Sequence, residues 1–337
     1  MIIIGITSPA PPDTGVRQAL LDDPNLPQDA ACLQNVIDRM RTGAGYYDAA
    51  EMALRTVAYD PPKHYFPMRP FVTFRLPTLA TFLAALRYDF LGQAVLFSLC
   101  FAMMIAWLVA TRGILPLPCR ALAFALMTPM FNYAWRGGNY VMHDVWAGAL
   151  IGLSVALYSR HRFWSIACGL LAISIRELAV PFAVVMAGAA LGEGKRRETL
   201  AWVAAIFGFF LFLGIHAWLV SFHVHPDDPA KVWMSHNGWG FVLQTAEASQ
   251  LPDFAIPFAG AILMPLAFLG AAHWPGAVGR RLIGCLFLYA AGYMVLGNSD
   301  NWYWGFVYLP LMAVSAANAI PALADLSRRA FALRLAP

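Results

Sequence analysis

Apolar residues along this chain come in long blocks, not in the short alternations of a water-soluble fold. Runs near residues 90–110, 121–135, 145–158, 163–175, 178–191, 200–221, 256–272, 282–297 and 304–320 carry little charge, and stretches rich in Lys, Arg, Gly and Pro separate them. A helix needs about 20 mostly apolar residues to cross a bilayer, and shorter ones are accommodated when polar flanks reach the interface. The pattern predicts an all-α polytopic transmembrane helix bundle of about nine full spans. The Ile-rich opening, 1–7, is too short to cross and lacks the basic stretch of a signal peptide, so it reads as the remnant of a truncated first helix. Residues 8–89 then form a long outer first loop. Within it, residues 29–40 place Ala30, Leu33, Val36, Ile37 and Met40 at helical spacing, an amphipathic helix suited to lie along a membrane surface.

Charges flanking the runs set the sidedness. Arg112 and Arg120, Arg160 and Arg162, Lys195 to Arg197, Arg280 and Arg281, and Arg328 and Arg329 fall in alternate loops if 163–191 is a hairpin turning at Arg176-Glu177. One long helix would put the Lys195 cluster on the opposite side. Positive residues in short loops mark the cytoplasmic face, so the hairpin is the expected arrangement. The chain then reads as a single membrane domain of a bacterial inner membrane. Its first loop, 8–89, and the outer segments 136–144 and 222–255 face the periplasm, the bundle spans 90–320, and 321–337 is a cytoplasmic tail.

Composition narrows the class further. The chain is 60% hydrophobic and 12% charged, about half the charge of an ordinary soluble domain. The net charge of +4 is scattered and makes no basic stripe for nucleic acid,. Five cysteines show no metal-ligand spacing,.

Candidate chemistry collects on the outer side. Asp29, Asp38, Asp48, His143, Asp144, Arg176, Glu177, His223, His225, His236 and Asp300 all map there, while charge inside the runs is sparse. A transporter places ionisable groups near mid-membrane, so a polar cleft at one face is the expectation. Two patterns stand out. The first runs from Asp29 through a helix to Gly43, Tyr46, Tyr47 and Asp48, then to Pro70, Arg75 and Pro77 before the first full span. The second is His143-Asp144 opening one span and Arg176-Glu177 at the next apex, with Pro181 after it.

In that order these elements resemble the GT-C superfamily of integral-membrane glycosyltransferases, which take sugars from polyprenyl phosphates and include enzymes similar to protein mannosyltransferases and aminoarabinose transferases. The likeness covers about residues 29–191, although relatives often have paired acids where this chain has Asp29. The resemblance implies transfer of one sugar, with inversion, from a polyprenyl-phosphate donor to a lipid, glycan or protein acceptor at the periplasmic face. Asp29 would be the general base, with Asp48 a second catalytic acid. Arg176 would hold the leaving phosphate through its planar fork, with Arg75 or Arg136 as a second cation. Glu177 would orient Arg176, and Asp144 would orient a sugar hydroxyl or hold a divalent metal ion. His143, Tyr46 and Tyr47 would line the substrate. No metal site and no other cofactor is assigned.

Plainer readings stand beside these. Asp29 suits a helix N-terminus, Asp48 a turn, Asp144 a helix cap, His143 an interfacial hydrogen bond and Arg176-Glu177 a solvated apex. His223, His225 and His236 lack a known metal spacing, and Asn301 to Gly305 reads as an interfacial aromatic belt. The competing functions are a non-catalytic transporter or flippase of lipid-linked sugars and a structural subunit of an envelope complex.

Overall fold

The computed structural model describes residues 28–56, 66–136, 138–249, 256 and 258–335. The expected helix remnant at 1–7 lies outside them. The described residues are helical, linked by turns and two isolated bridges. The α-helices are α1 (Gln28–Arg41), α2 (Tyr46–Thr56), α3 (Pro77–Ala85), α4 (Asp89–Ala110), α5 (Leu117–Trp135), α6 (His143–Leu157) and α7 (Arg162–Ile175). There follow α8 (Val180–Gly192), α9 (Arg196–Val220), α10 (Gly238–Ala246), α11 (Ala259–His273), α12 (Gly276–Val295) and α13 (Leu309–Leu335).

Each of the nine apolar runs overlaps an α-helix. Four are long and apolar enough to cross a membrane: Asp89–Ala110, Arg196–Val220, Gly276–Val295 and Leu309–Ala332. On α4, Phe90, Phe97, Phe101 and Ile105 are exposed, as are Phe207, Phe210, Leu211 and Trp218 on α9. Exposed apolar faces of that extent suit lipid, not water. The chain is thus a helical membrane protein. The 14 residues of α7 and 13 of α8 reach only about 20 Å each.

Two compact units form. Among the described residues, the first comprises those within Met1–Gln93, Arg136–Met142 and Gly214–Lys231, and the second those within Ala94–Trp135, His143–Leu213 and Val232–Pro337. In the first, α1 packs on α2 and α3, and Ala30, Val36 and Ile37 of α1, Ala49 and Ala53 of α2 and Leu79 and Leu83 of α3 are buried. Of the apolar face expected to meet a membrane surface, Ala30, Val36 and Ile37 are covered by protein, while Leu33 and Met40 are half-buried. Gly43, at φ +105°, makes the turn into α2, a conformation that glycine adopts without Cβ strain.

In the second unit α6 is buried from His143 to Gly152 and packs on α7. The break at Arg176 is a reversal, because Phe182 of α8 lies against Gly169 of α7, residues about 20 Å apart along a continuous helix. The expected hairpin at 163–191 is therefore present. Close backbone approach organises the rest. A Cβ at Gly270 would overlap the Ser315 carbonyl oxygen, and one at Gly148 that of Phe306. The expected span at 304–320 differs: residues Ser299–Val307 form a 3-10 helix, and the α-helix starts at Leu309.

Three of the basic segments, near residues 158–162, 193–198 and 280–281, meet in this unit. Arg281, wholly buried, donates to Glu193 at 2.6 Å and Glu198 at 3.1 Å, with its guanidinium 3.8 Å from the Tyr158 ring centroid. Lys195 joins through Glu193 and the Tyr158 hydroxyl. Burial opposes ionisation of Glu193, but hydrogen bonds from Arg281, Lys195 and Arg280 outweigh it and hold its carboxyl at about 2. Arg280 and Arg281, expected in a loop, lie inside α12.

Candidate functional site

Tyr158 follows the C-terminal end of α6, and Asp144 lies in the first turn at its other end. Asp144 is 2% exposed and Arg176 fully buried. Arg176 Nε donates to Asp144 Oδ1 at 2.9 Å, and its Nη1 donates to Glu177 Oε1. Its guanidinium carbon sits 5.8 Å from the centroid of the Trp304 ring, within cation–π range. The third nitrogen, Nη2, is buried with no hydrogen-bond partner among the described residues. The Glu177 side chain is 23% exposed, which makes it the accessible edge of the cluster. His143 is buried beside Asp144. The solvated-apex reading of Arg176 is overturned.

Aromatic residues frame this cluster. The Tyr293 hydroxyl donates to the Trp304 carbonyl at 3.1 Å, and Trp304 stacks on Trp233 with centroids 5.9 Å apart. Asn298 and Asn301 cap the 3-10 helix reciprocally. Tyr303, Trp304, Phe306 and Val307 are buried, so the expected aromatic belt is core. Only Trp302, of the run's aromatic residues, is exposed.

The first unit carries a separate polar cluster. Asp29 lies in the first turn of α1, and the Arg75 guanidinium is 3.8 Å from its Oδ2. The Tyr46 hydroxyl donates to the Arg75 carbonyl. His216 Nε2 donates to the Phe74 carbonyl at 2.9 Å, which leaves Nδ1 as the acceptor for the Tyr47 hydroxyl at 3.1 Å,. Tyr47 also stacks on His223, centroids 5.9 Å apart. His223 Nδ1 pairs with Glu51 at 3.0 Å and lies 3.9 Å from Asp48. Asp48 is exposed, as is Arg136 at the start of the 136–142 segment.

A fork from Arg55 ties α2 to the 223–231 segment. Its Nη1 and Nη2 reach Asp228 Oδ1 and Oδ2 at 2.8 and 3.0 Å, and its Nε reaches Glu51 at 2.9 Å. The hydrogen bonds from Arg55 hold the Asp228 carboxyl below its usual range. Burial opposes the Glu51 charge, yet His223 and Arg55 together bring that carboxyl down too.

The sequence reading puts Asp29, Asp48, Tyr46, Tyr47, Arg75, Arg136, His143, Asp144, Arg176 and Glu177 in one polar cleft; the structure joins Asp144, Arg176 and Glu177 and, in the first unit, sets Asp29 beside Arg75, while Asp48 and Arg136 are exposed. It does not find His216, Glu51, Arg55 or Asp228, and it takes Trp304 for part of an interfacial belt. A signal existed for two of these: His216 is an ionisable residue inside an apolar run, and Glu51 precedes Arg55 by one helical turn. Among the described residues no group of three or more His, Cys, Asp or Glu could hold a metal ion.

Comparison with known proteins returns no matching family model, no matching curated protein and no matching solved structure.

Proposed function

We propose that this chain is a membrane-embedded glycosyltransferase of the GT-C kind. In this reading it moves one sugar from a polyprenyl-phosphate donor to a lipid, glycan or protein acceptor at the outer face of a bacterial inner membrane, with nine spans and inversion at the anomeric carbon. The observation that carries the reading is the buried Arg176. A cation withdrawn from water between two short apolar helices is costly, and charges at such depth usually serve a function. Asp144 and Glu177 already engage two of its nitrogens, and this reading assigns the third, the buried Nη2, to a phosphate oxygen of the donor. Glu177, at the accessible edge, is placed to accept from a sugar hydroxyl. The resemblance assigns the acceptor's proton to Asp29. As that proton leaves, the acceptor oxygen bonds to the anomeric carbon and the lipid phosphate departs with the electron pair of the broken bond.

The test is mass spectrometry of surface glycans and of the polyprenyl-phosphate sugar pool. A strain lacking the gene is complemented with wild type, Asp29→Asn or Arg176→Lys. Loss of one sugar from a glycan with build-up of its lipid carrier, in the deletion and in both variants, is expected. Unchanged glycans in the deletion, with the lipid-linked sugar retained inside, would replace transfer by transport. Full complementation by Asp29→Asn would remove that residue as base.

A further inference from the structure

We propose that the second unit binds one anionic phospholipid at its basic end, with an acyl chain inside a cavity and the phosphate against Arg160 and His161. The proposal does not depend on sugar transfer. The cavity has a volume of about 270 Å³ and is walled by apolar residues of α4, α6 and α12, among them Val109, Val155, Ala156 and Val278. Trp107 and Trp274 meet edge to face at its side, centroids 6.1 Å apart. A space this much larger than the about 30 Å³ share of one water, with few polar groups on its walls, suits hydrocarbon.

The polar part of the lining is confined to one place. Ser159, Arg160 and His161 line the cavity and are all exposed. They follow the C-terminal end of α6, and the last turn of α4, a helix long enough to cross a membrane, supplies the opposite wall. A cavity at a span's end lies at headgroup depth, and basic pockets between helices at the Lys/Arg-rich side recognise anionic headgroups. The acids of this end do not cancel the charge. Glu193 is taken by Arg281, Lys195 and Arg280, and Glu198 by Arg281 and the Tyr158 hydroxyl. Arg160 and His161 are thus the groups at the cavity that can meet a phosphate. A neutral lipid would fill the cavity equally well but gain nothing from them, so the preference for an anionic headgroup is the distinguishing property.

The full chain is placed in phosphatidylcholine vesicles containing a small fraction of phosphatidylglycerol brominated on its acyl chains, and tryptophan fluorescence is recorded. Bromine quenches indoles it touches. Quenching by brominated phosphatidylglycerol is expected to exceed that by an equal fraction of brominated phosphatidylcholine several-fold. The excess should disappear in Ala156→Phe, which fills the cavity, and shrink in Trp274→Phe, which removes a reporter. The double variant Arg160→Gln, His161→Gln should need several-fold more phosphatidylglycerol for the same quenching. Val278→Phe replaces Ala156→Phe if the latter fails to elute as a folded species. Equal quenching by the two lipids, or an excess that survives both the filled cavity and the double variant, would overturn the proposal in favour of ordinary annular lipid.

Discussion

Asp144 and Glu177 hold the same guanidinium but differ in exposure, 3% against 23% of the side chain, and that difference orders their energetics. Removing one partner of a buried pair leaves an uncompensated charge and costs about 3–5 kcal/mol. Asp144→Ala is expected to lower stability by an amount in that range, read from thermal unfolding in detergent. Glu177→Gln should cost about 1 kcal/mol or less, because solvent screens the exposed partner, while still impairing sugar transfer if its carboxylate meets the substrate. Equal losses for the two would mean that Glu177 is as buried in solution as Asp144. These residues were legible in the sequence because charges between apolar runs are conspicuous. Trp304 was not, since hydropathy cannot separate an aromatic residue facing lipid from one facing protein. His223 and Glu51 lie 172 positions apart, and nothing local to either residue announces the other.

Elements were more readable than their packing. Apolar length located the helices, and alternating basic loops located the reversal at Arg176, because one continuous helix would have misplaced Lys195. The 3-10 helix Ser299–Val307 escaped notice because a tight turn among aromatics has the same mean hydropathy as a span. The amphipathic stretch at 29–40 was read correctly as a helix, but an apolar face looks alike whether it meets lipid or protein. Glycine supplies a test of the packing. Gly270 of α11 lies where a Cβ would strike the Ser315 backbone of α13, whereas a Cβ at Gly208 of α9 meets nothing within 4 Å. Gly270→Ala is therefore expected to force two helices apart at a cost of about 1–3 kcal/mol or more. Gly208→Ala should be neutral or stabilising by up to about 1 kcal/mol through helix propensity. Thermal unfolding of both, side by side, measures it, and a Gly270→Ala protein as stable as wild type would show that α11 and α13 do not touch backbone to backbone.

At the scale of the whole molecule, the lock around Arg281 joins loops that the charge pattern assigned to one membrane face. Glu193's carboxyl is held at about 2, against an ordinary value of 4.5. A depressed carboxyl contributes stability that is complete above its unfolded value and lost as pH falls through its folded one. Unfolding temperature should thus hold above about pH 4.5 on this account and fall from there toward pH 2. Glu193→Gln should be less stable at pH 7 and show a shallower fall in that window. A variant with an unchanged acid limb would place the acid sensitivity elsewhere.

The same lock bears on orientation. Arg197, two residues beyond Lys195, is exposed at the basic end, and Asp300 is exposed in the capped 3-10 helix that carries Trp304. Four of the five native cysteines are buried, so a membrane-impermeant maleimide meets little background. In spheroplasts, Asp300→Cys is expected to label and Arg197→Cys to stay unlabelled until the membrane is permeabilised. The reverse result would turn the molecule over. Arg176 would then sit toward the cytoplasm, where nucleotide sugars are at hand, and the reason for invoking a lipid-carried donor would vanish. Labelling of both positions in sealed spheroplasts would mean that the two ends of α6 do not lie on opposite sides of the bilayer. That outcome would contradict the nine-span arrangement itself, because 15 residues of a buried helix, about 22 Å, separate the Arg281 lock from the Arg176 cluster.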